Sequence, residues 1–364
     1  ADAAPKAVAK ILAAHLGGNE SKYLEILLAK DTRYAEIARH VPAATWSKIE
    51  EDMQKGIDGD GKRRWYGLFA ENDPLRTYPN RTSASNVVGF VNGDGKGAAG
   101  LEGLLDSQLA GTPGQEVYER STYGRIPLGT SVLTPPVNGA SYSLTIDADL
   151  QWFAEQALAD GMAKAGAKTG SVLVMNPNNG EILALATAPS FDSANPGATD
   201  AGNLGNRTVT EAYEPGSTEK VLTMAALADS GLVTPDTKVD VPASITSGSG
   251  TVKDSFEHGR LKLTARGVMA QSSNIGTIKL ARQMDKAKLR EYLASFGLGS
   301  APGSGLPAET SGSLPEADMA DYTRDQISFG QGLSVSVMQM GAALSAAVNG
   351  GTYHQPQIIR SAAN

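Results

Sequence analysis

Ser217 and Lys220 are the residues of this sequence best suited to nucleophilic chemistry. Residues three apart on a helix share one face, about one turn apart, so the hydroxyl and the amine could meet. A lysine at the edge of an apolar interior loses part of its preference for the charged form and can accept the proton of a serine. The pair therefore predicts a serine nucleophile with a lysine as its general base.

The helix that positions this pair is expected to begin at Ser217, after the break made by Pro215-Gly216. Residues Val221–Ala228 are apolar on nearly every side, which is typical of a helix buried inside a domain, and Gly231 is expected to end it. A helix start also offers backbone N–H groups and a positive dipole end, which suit a developing oxyanion. Because Ser-x-x-Lys often arises by chance, the assignment depends on the rest of the chain.

A second motif, Ser272-x-Asn274, follows Lys220 after 52 residues and stands between two predicted helices, Thr264–Gln271 and Ile275–Met284. A serine there could relay a proton to a leaving amine, and an amide could hold a peptide carbonyl. Ser-x-Asn alone carries almost no information. Its order and distance after an apolar helix headed by Ser-x-x-Lys make the combination informative.

Composition excludes several other classes of function. The 364 residues carry a net charge of −7 without a long basic run, so nucleic acid is not expected as a partner. The chain has no cysteine, which excludes disulfides and thiolate sites. No His-Glu-x-x-His and no Gly-x-Ser-x-Gly occurs, so the sequence indicates no metal, no cofactor and no Ser-His-Asp triad. The four histidines are expected to be surface or hydrogen-bonded polar residues.

Apolar periodicity predicts helices and strands in a mixed order, with a proline-rich linker at Leu133–Gly139 that divides the chain into residues 1–135 and 136–364. The predicted helices besides those above are Val8–Leu16, Tyr23–Ala29, Tyr34–Arg39, Thr45–Lys55, one capped by Asp147, Leu289–Phe296 and Val335–Val348. The predicted strands are Ser141–Ile146 and a hairpin of Ser171–Asn176 and Glu181–Thr187.

Several segments together resemble class B penicillin-binding proteins, which are penicillin-recognising serine transferases. They are Gly170–Ala186, Tyr213–Lys220, Gln271–Gly276 and Phe329–Val335, together with the upstream Tyr78-Pro-Asn and Val88–Gly103. The resemblance covers roughly residues 65–360. It implies an α+β multidomain protein in which a non-catalytic pedestal, of the dimerisation type, precedes a transpeptidase domain. That domain is expected to be α/β and β-lactamase-like, with an antiparallel sheet flanked by helices.

The resemblance also implies a role for each site residue in a peptidoglycan D,D-transpeptidase. Ser217 would be acylated by the penultimate D-Ala of a stem peptide, with Lys220 as general base. Ser272 would transfer the proton to and from the amine, and Asn274 would bind the substrate amide. Glu219 is unusual for the family, and we interpret it as peripheral.

The expected partners are peptidoglycan stem peptides, β-lactam antibiotics, a membrane glycan polymerase and other division or elongation proteins. The expected location is the extracytoplasmic face of the bacterial membrane, with an N-terminal transmembrane anchor that lies outside this chain. The sequence leaves open whether the role is in division or in elongation, and which amine accepts the acyl group.

The third motif of the family, Lys-Thr-Gly or Lys-Ser-Gly, does not follow Asn274, so we expect the carboxyl-terminal part of the domain to lie outside this chain. The Lys168-Thr169-Gly170 triplet precedes the nucleophile and is interpreted as a coincidence, a circular permutation being the other interpretation. Two alternatives stay open: a catalytically silent penicillin-binding scaffold, and a relative of β-lactamases or penicillin sensors.

Overall fold

The computed structural model describes residues 5–30, 34–55, 68–71, 75–121, 124–125 and 131–363. The chain divides into two compact units, residues 1–77 and 78–364. In the described residues of the first unit, three helices pack around a small apolar core: α1 (Pro5–Leu16), α2 (Glu20–Leu28) and α3 (Ala43–Gln54). The prediction of a helix at Tyr34–Arg39 is wrong, because the described residues 34–38 have no regular structure.

The second unit begins with a series of short elements. They are α4 (Ser85–Val88), β1 (Phe90–Val91), β2 (Gly97–Ala99), α5 (Gly100–Leu104), α6 (Asp106–Leu109), β3 (Gln115–Tyr118), β4 (Arg120–Ser121), β5 (Gly124–Arg125) and β6 (Ser131–Thr134). Val87 and Leu101 share one buried cluster with Ile182 and Leu185. The predicted linker at Leu133–Gly139 is partly a strand, since β6 pairs with β3.

The described strands around α7 (Ala148–Ala165) form two separate two-stranded sheets, both antiparallel as predicted. In one, the six-residue β8 (Gly170–Met175) pairs with β9 (Ile182–Ala188), and in the other β7 (Ser141–Leu144) pairs with β14 (Ile359–Ala363). Helix α7 packs on the β8–β9 sheet and is capped by the Asp147 carboxylate, which accepts from the Leu150 amide at 2.9 Å. The strand–helix–hairpin order thus follows the predicted pattern.

The remaining elements form a mainly helical layer around α9 (Lys220–Asp229). They are α8 (Arg207–Thr210), β10 (Lys238–Val241), β11 (Ile245–Ser247), β12 (Gly250–Val252), β13 (Leu261–Thr264), α10 (Ala265–Ala270), α11 (Asn274–Ala281), α12 (Lys286–Ser295), α13 (Asp321–Ile327) and α14 (Val337–Val348). The main apolar core of the chain lies in this layer and includes the buried Leu222, Ala226 and Leu227 of α9. The near-continuous apolar run of α9 is therefore explained by contacts on most of its sides. Within the described ranges, no helix combines the length and the apolar character that a membrane crossing requires.

Candidate active site

The Ser217 segment is a 3₁₀ turn, Gly216–Thr218, and the α-helix proper begins only at Lys220. The prediction that Ser217 itself opens the α-helix is therefore wrong by one short turn. No side chain caps this start, and the Ser217 side chain is exposed. An exposed hydroxyl at an uncapped helix start is accessible to a substrate, as a nucleophile must be.

The backbone that precedes Ser217 is held by the segment Phe329–Val335. The Gly216 amide donates to the Gly330 carbonyl at 2.9 Å, and Tyr213 exchanges two backbone hydrogen bonds with Val335. Gly330 has φ +86°, and a Cβ built there would lie 2.0 Å from the Gly216 carbonyl oxygen. Glycine is therefore required at Gly330 by a close approach of two backbones. This segment therefore fixes the position of Ser217.

Lys220 is almost entirely buried, with 1% of its surface exposed. Its Nζ donates to the Ser272 carbonyl at 2.6 Å and to Asn274 Oδ1 at 2.7 Å, and lies 3.2 Å from Ser272 Oγ. Burial lowers the pKa of this amine to about 8, against the attraction of Asp254 and Glu219, which raises it. An amine with this pKa is partly neutral near physiological pH and can act as a base.

The structure brings Lys220, Ser272 and Asn274 together, but within the described residues no hydrogen bond joins Ser217 to Lys220. In the ammonium form all three N–H groups of Lys220 can be donated to the second motif. Loss of one proton frees a lone pair at this amine. The expected contact between hydroxyl and amine therefore belongs to the neutral form of Lys220.

Ser272 has φ +51°, a left-handed conformation that is costly for a residue with a Cβ. The turn is held at its carbonyl by Lys220 and, on its far side, by Asp254. Asn274 is also fixed at both ends, since its Nδ2 donates to the Lys253 carbonyl at 3.2 Å. One N–H and one lone pair of its amide are left for a substrate.

The interpretation of Glu219 as peripheral is wrong. Its side chain is completely buried: Oε1 accepts from Thr223 Oγ1 at 2.8 Å, while Oε2 has no hydrogen-bond partner in the described structure. Burial raises the pKa of this carboxyl well above its usual value of 4.5. An uncompensated buried carboxyl lies directly beside Lys220.

Asp254 is a site residue that the sequence motifs do not identify. Its side chain is fully buried and contacts Ser273, the middle residue of the second motif. The signal that could have found it is weak, because a lone aspartate in a loop has no distinguishing pattern. Lys168–Gly170 leads into β8, and no described hydrogen bond links it to the Ser217 or Ser272 segments.

Comparisons with known proteins agree with this geometry. Residues 170–364 match the family model of the "Penicillin binding protein transpeptidase domain", and residues 1–144 match that of the "Penicillin-binding Protein dimerisation domain". "Penicillin-binding protein PbpB" of Mycolicibacterium smegmatis is 35% identical over 97% of this chain and 53% of its own length. "Peptidoglycan D,D-transpeptidase FtsI" of Escherichia coli is 32% identical over 86% of this chain and 52% of its own length.

Among solved structures, the penicillin-binding protein 3 of Mycobacterium tuberculosis in complex with aztreonam is similar, with a TM-score of 0.70 and 36% identity. The likeness covers 79% of this chain and 61% of that one. The chain thus spans about half the length of the curated relatives it matches.

Proposed function

This chain belongs to the penicillin-binding protein transpeptidase family, and from that premise we propose that it is part of a peptidoglycan D,D-transpeptidase that works through an acyl-enzyme on Ser217. The observation that carries the proposal is Lys220: a buried amine with a pKa of about 8 that contacts both Ser272 and Asn274. A general base needs an amine with a lowered pKa that lies next to the groups through which the proton moves.

In the proposed acylation, neutral Lys220 accepts the Ser217 proton while Ser217 Oγ attacks the carbonyl carbon of the penultimate D-Ala. The uncapped amides at the start of this helix face the developing oxyanion. The tetrahedral intermediate then expels the terminal D-Ala, whose amine takes a proton from Lys220 through Ser272 Oγ. An ester on Ser217 and free D-Ala result.

In the second half of the reaction, the amine of another stem peptide attacks the Ser217 ester. Lys220 and Ser272 take up the proton that this amine loses, and Ser217 recovers its hydrogen. Asn274 holds the donor peptide through its remaining N–H and lone pair. A β-lactam follows the first half only, since its ring amide opens and the leaving amine stays attached to the acyl group.

The relatives' names support this reaction class: one is called a peptidoglycan D,D-transpeptidase, and a similar structure contains the β-lactam aztreonam. We infer that residues 1–135 act as the pedestal and residues 136–364 as the transpeptidase part. We also infer that the protein works at the extracytoplasmic face of the bacterial membrane with a glycan polymerase and other division or elongation proteins. A polymerase is expected as a partner because peptide cross-links are formed where the glycan strands are polymerised.

The proposal is tested by incubating a form of the protein that also carries the family's third motif with an N-acylated D-Ala-D-Ala peptide and a D-amino acid acceptor. Mass spectrometry should detect both free D-Ala and the product in which the acceptor replaces it, and Ser217→Ala should give neither. Release of D-Ala without the exchange product would indicate a hydrolase. A folded protein that gives neither product would support the silent scaffold.

A further inference from the structure

Asp254 lies in the loop that joins β12 to β13, and its carboxylate is buried behind the Ser272-x-Asn274 turn. Asp254 Oδ2 accepts from Ser273 Oγ at 2.7 Å, and Oδ1 accepts from the Ile275 amide at 2.9 Å. Ser273 Oγ in turn accepts from the Gly276 amide at 2.8 Å. The carboxylate therefore fixes the start of α11 directly after the strained Ser272.

His258 faces the same carboxylate, and its side chain is only 6% exposed. His258 Nε2 lies 3.1 Å from Asp254 Oδ2, and Nδ1 lies 2.6 Å from the Gly259 carbonyl oxygen. Both partners are acceptors, and Asp254 already accepts from Ser273 and Ile275. His258 is therefore in direct contact with the Asp254 carboxylate.

The Asp254 charge also acts on the candidate base. The charged groups that raise the pKa of Lys220 against burial are Asp254, from the β12–β13 loop, and Glu219, its neighbour on the same helix. The polar groups in direct contact with Lys220 Nζ are those of Ser272 and Asn274. Removal of the Asp254 charge must therefore lower the proton affinity of Lys220.

We propose that Asp254 and His258 are positioning residues for the chemistry at Ser217. The carboxylate holds the turn that carries Ser272 and Asn274, its negative charge favours the ammonium form of Lys220, and His258 contacts it from the same loop. The catalytic meaning of this arrangement rests on the function proposed above. The electrostatic link itself does not depend on that function.

The test is an NMR titration of Lys220 in the folded chain, with ¹³C-labelled lysine and the signal assigned by its loss in Lys220→Met. Asp254→Asn keeps an acceptor for the Ile275 amide and removes the charge, so the Lys220 pKa should fall by roughly 0.5–1 unit. His258→Gln removes one contact of the carboxylate and keeps the Asp254 charge, so it should shift the Lys220 titration far less than Asp254→Asn.

Two controls separate charge from structure. Asp285 caps α12 by accepting from the Ala287 and Lys288 amides, so Asp285→Asn also alters a helix cap and should leave the Lys220 titration unchanged. Ser273→Ala removes one contact of Asp254 without a change of charge and should shift the titration far less than Asp254→Asn. If Asp254→Asn does not fold, Asp254→Ser removes the same charge, and its Lys220 titration decides the direction.

An unchanged Lys220 titration in folded Asp254→Asn would overturn the inference. In a form of the protein that includes the family's third motif, the acid limb of the acylation rate should move with the Lys220 pKa in this variant. A lowered Lys220 pKa in Asp254→Asn, in a form that includes the third motif and never becomes acylated, would support the inference while contradicting the proposed function. The two failures are therefore distinguishable.

Discussion

Two helix starts meet at this site, and they are built in opposite ways. At α11, the Ser273 hydroxyl accepts from the Gly276 amide while Asp254 accepts from the Ile275 amide, so backbone groups at the helix start are satisfied. At α9, no side chain caps the helix, Glu219 has an unpartnered buried oxygen, and Lys220 is buried with a lowered pKa. Both helices are apolar and buried, so packing alone does not explain the contrast.

The difference indicates that stability and chemistry are divided between the two starts. Reactive groups need donors and acceptors that are not yet committed, and such groups are costly when buried. The α9 start keeps such uncommitted donors and acceptors. The neighbouring α11 start compensates with hydrogen bonds to its Ile275 and Gly276 amides. Variants at the two starts should therefore differ in whether they change acylation or stability.

The largest effect is expected for Lys220→Met at the α9 start. Loss of the general base should slow acylation of Ser217 by a labelled penicillin by about 10²–10⁴-fold. In the unchanged protein the rate should rise with pH through a midpoint near 8, because the neutral amine is the base. Stopped-flow fluorescence at several pH values measures both.

Lys279 provides the matched control for this prediction. It is a half-buried lysine whose Nζ, like that of Lys220, donates to a backbone carbonyl, that of Asp240 at 2.5 Å. Lys279→Met should leave both the rate and its pH midpoint unchanged. Equal slowing in the two variants would show that Lys220 matters only as a buried lysine.

Gly330→Ala should have the next largest effect, because the new Cβ would collide with the Gly216 carbonyl and displace the nucleophile segment. We expect acylation to fall by more than about tenfold, since small misplacements of a reacting group are costly. Gly332 also has positive φ, +70°, but its nearest atom is 3.6 Å away, at the Gln326 Cβ. Gly332→Ala therefore tests backbone strain alone and should acylate much faster than Gly330→Ala.

Replacement of the buried Glu219 carboxyl at the α9 start is expected to increase stability, whereas the variants above are expected to lose activity. The raised pKa of this carboxyl means that the folded state holds the proton more tightly than the unfolded state. Glu219 therefore contributes most to the free energy of unfolding below its unfolded pKa of about 4.5. This contribution is lost as the pH rises towards the pKa of Glu219 in the folded state. Glu219→Met should raise the free energy of unfolding by roughly 1–3 kcal/mol at pH 8.

The advantage of Glu219→Met over the unchanged protein should shrink as the pH is lowered to about 5, which denaturant titrations at the two pH values can measure. Glu291, exposed and paired with Lys288, is the control, and Glu291→Met should show no such pH dependence. An advantage of constant size across this range would contradict a titrating buried carboxyl.

The smallest effect is expected at the α11 start. Ser273→Ala removes the cap and should lower the free energy of unfolding by about 0.5–2 kcal/mol, with a few-fold loss of acylation because the Ser272 turn loosens. Ser336 caps α14 in the same way, so Ser336→Ala should cost similar stability without a change in acylation. Thermal melts combined with acylation rates separate the two variants.

Much of this arrangement could be predicted from the sequence, because it depends on local patterns. The apolar run of α9, the Asp147 cap and the β8–β9 hairpin follow from periodicity and turn chemistry. The Ser-x-x-Lys and Ser-x-Asn motifs indicated the side chains of the candidate site, although within the described residues no hydrogen bond joins Ser217 to Lys220. Ser272 and Asn274 do lie against Lys220.

The parts that were missed depend on long-range contacts. Asp254 reaches the second motif from a separate loop, and Glu219 is buried by packing that no local pattern encodes. The short 3₁₀ turn at Ser217 is set by the approach of Gly330, more than a hundred residues away in the sequence. Residues such as these are recognised only when the chain is folded.

Ser217 is proposed to be the nucleophile that penicillin acylates. Intact-mass spectrometry after incubation with benzylpenicillin tests it most directly, with Ser217→Ala and the neighbouring Thr218→Ala compared side by side. One stoichiometric adduct is expected on the unchanged protein. It should be kept in Thr218→Ala and lost in Ser217→Ala. An adduct that persists in Ser217→Ala, or none in a folded form that includes the family's third motif, would contradict it.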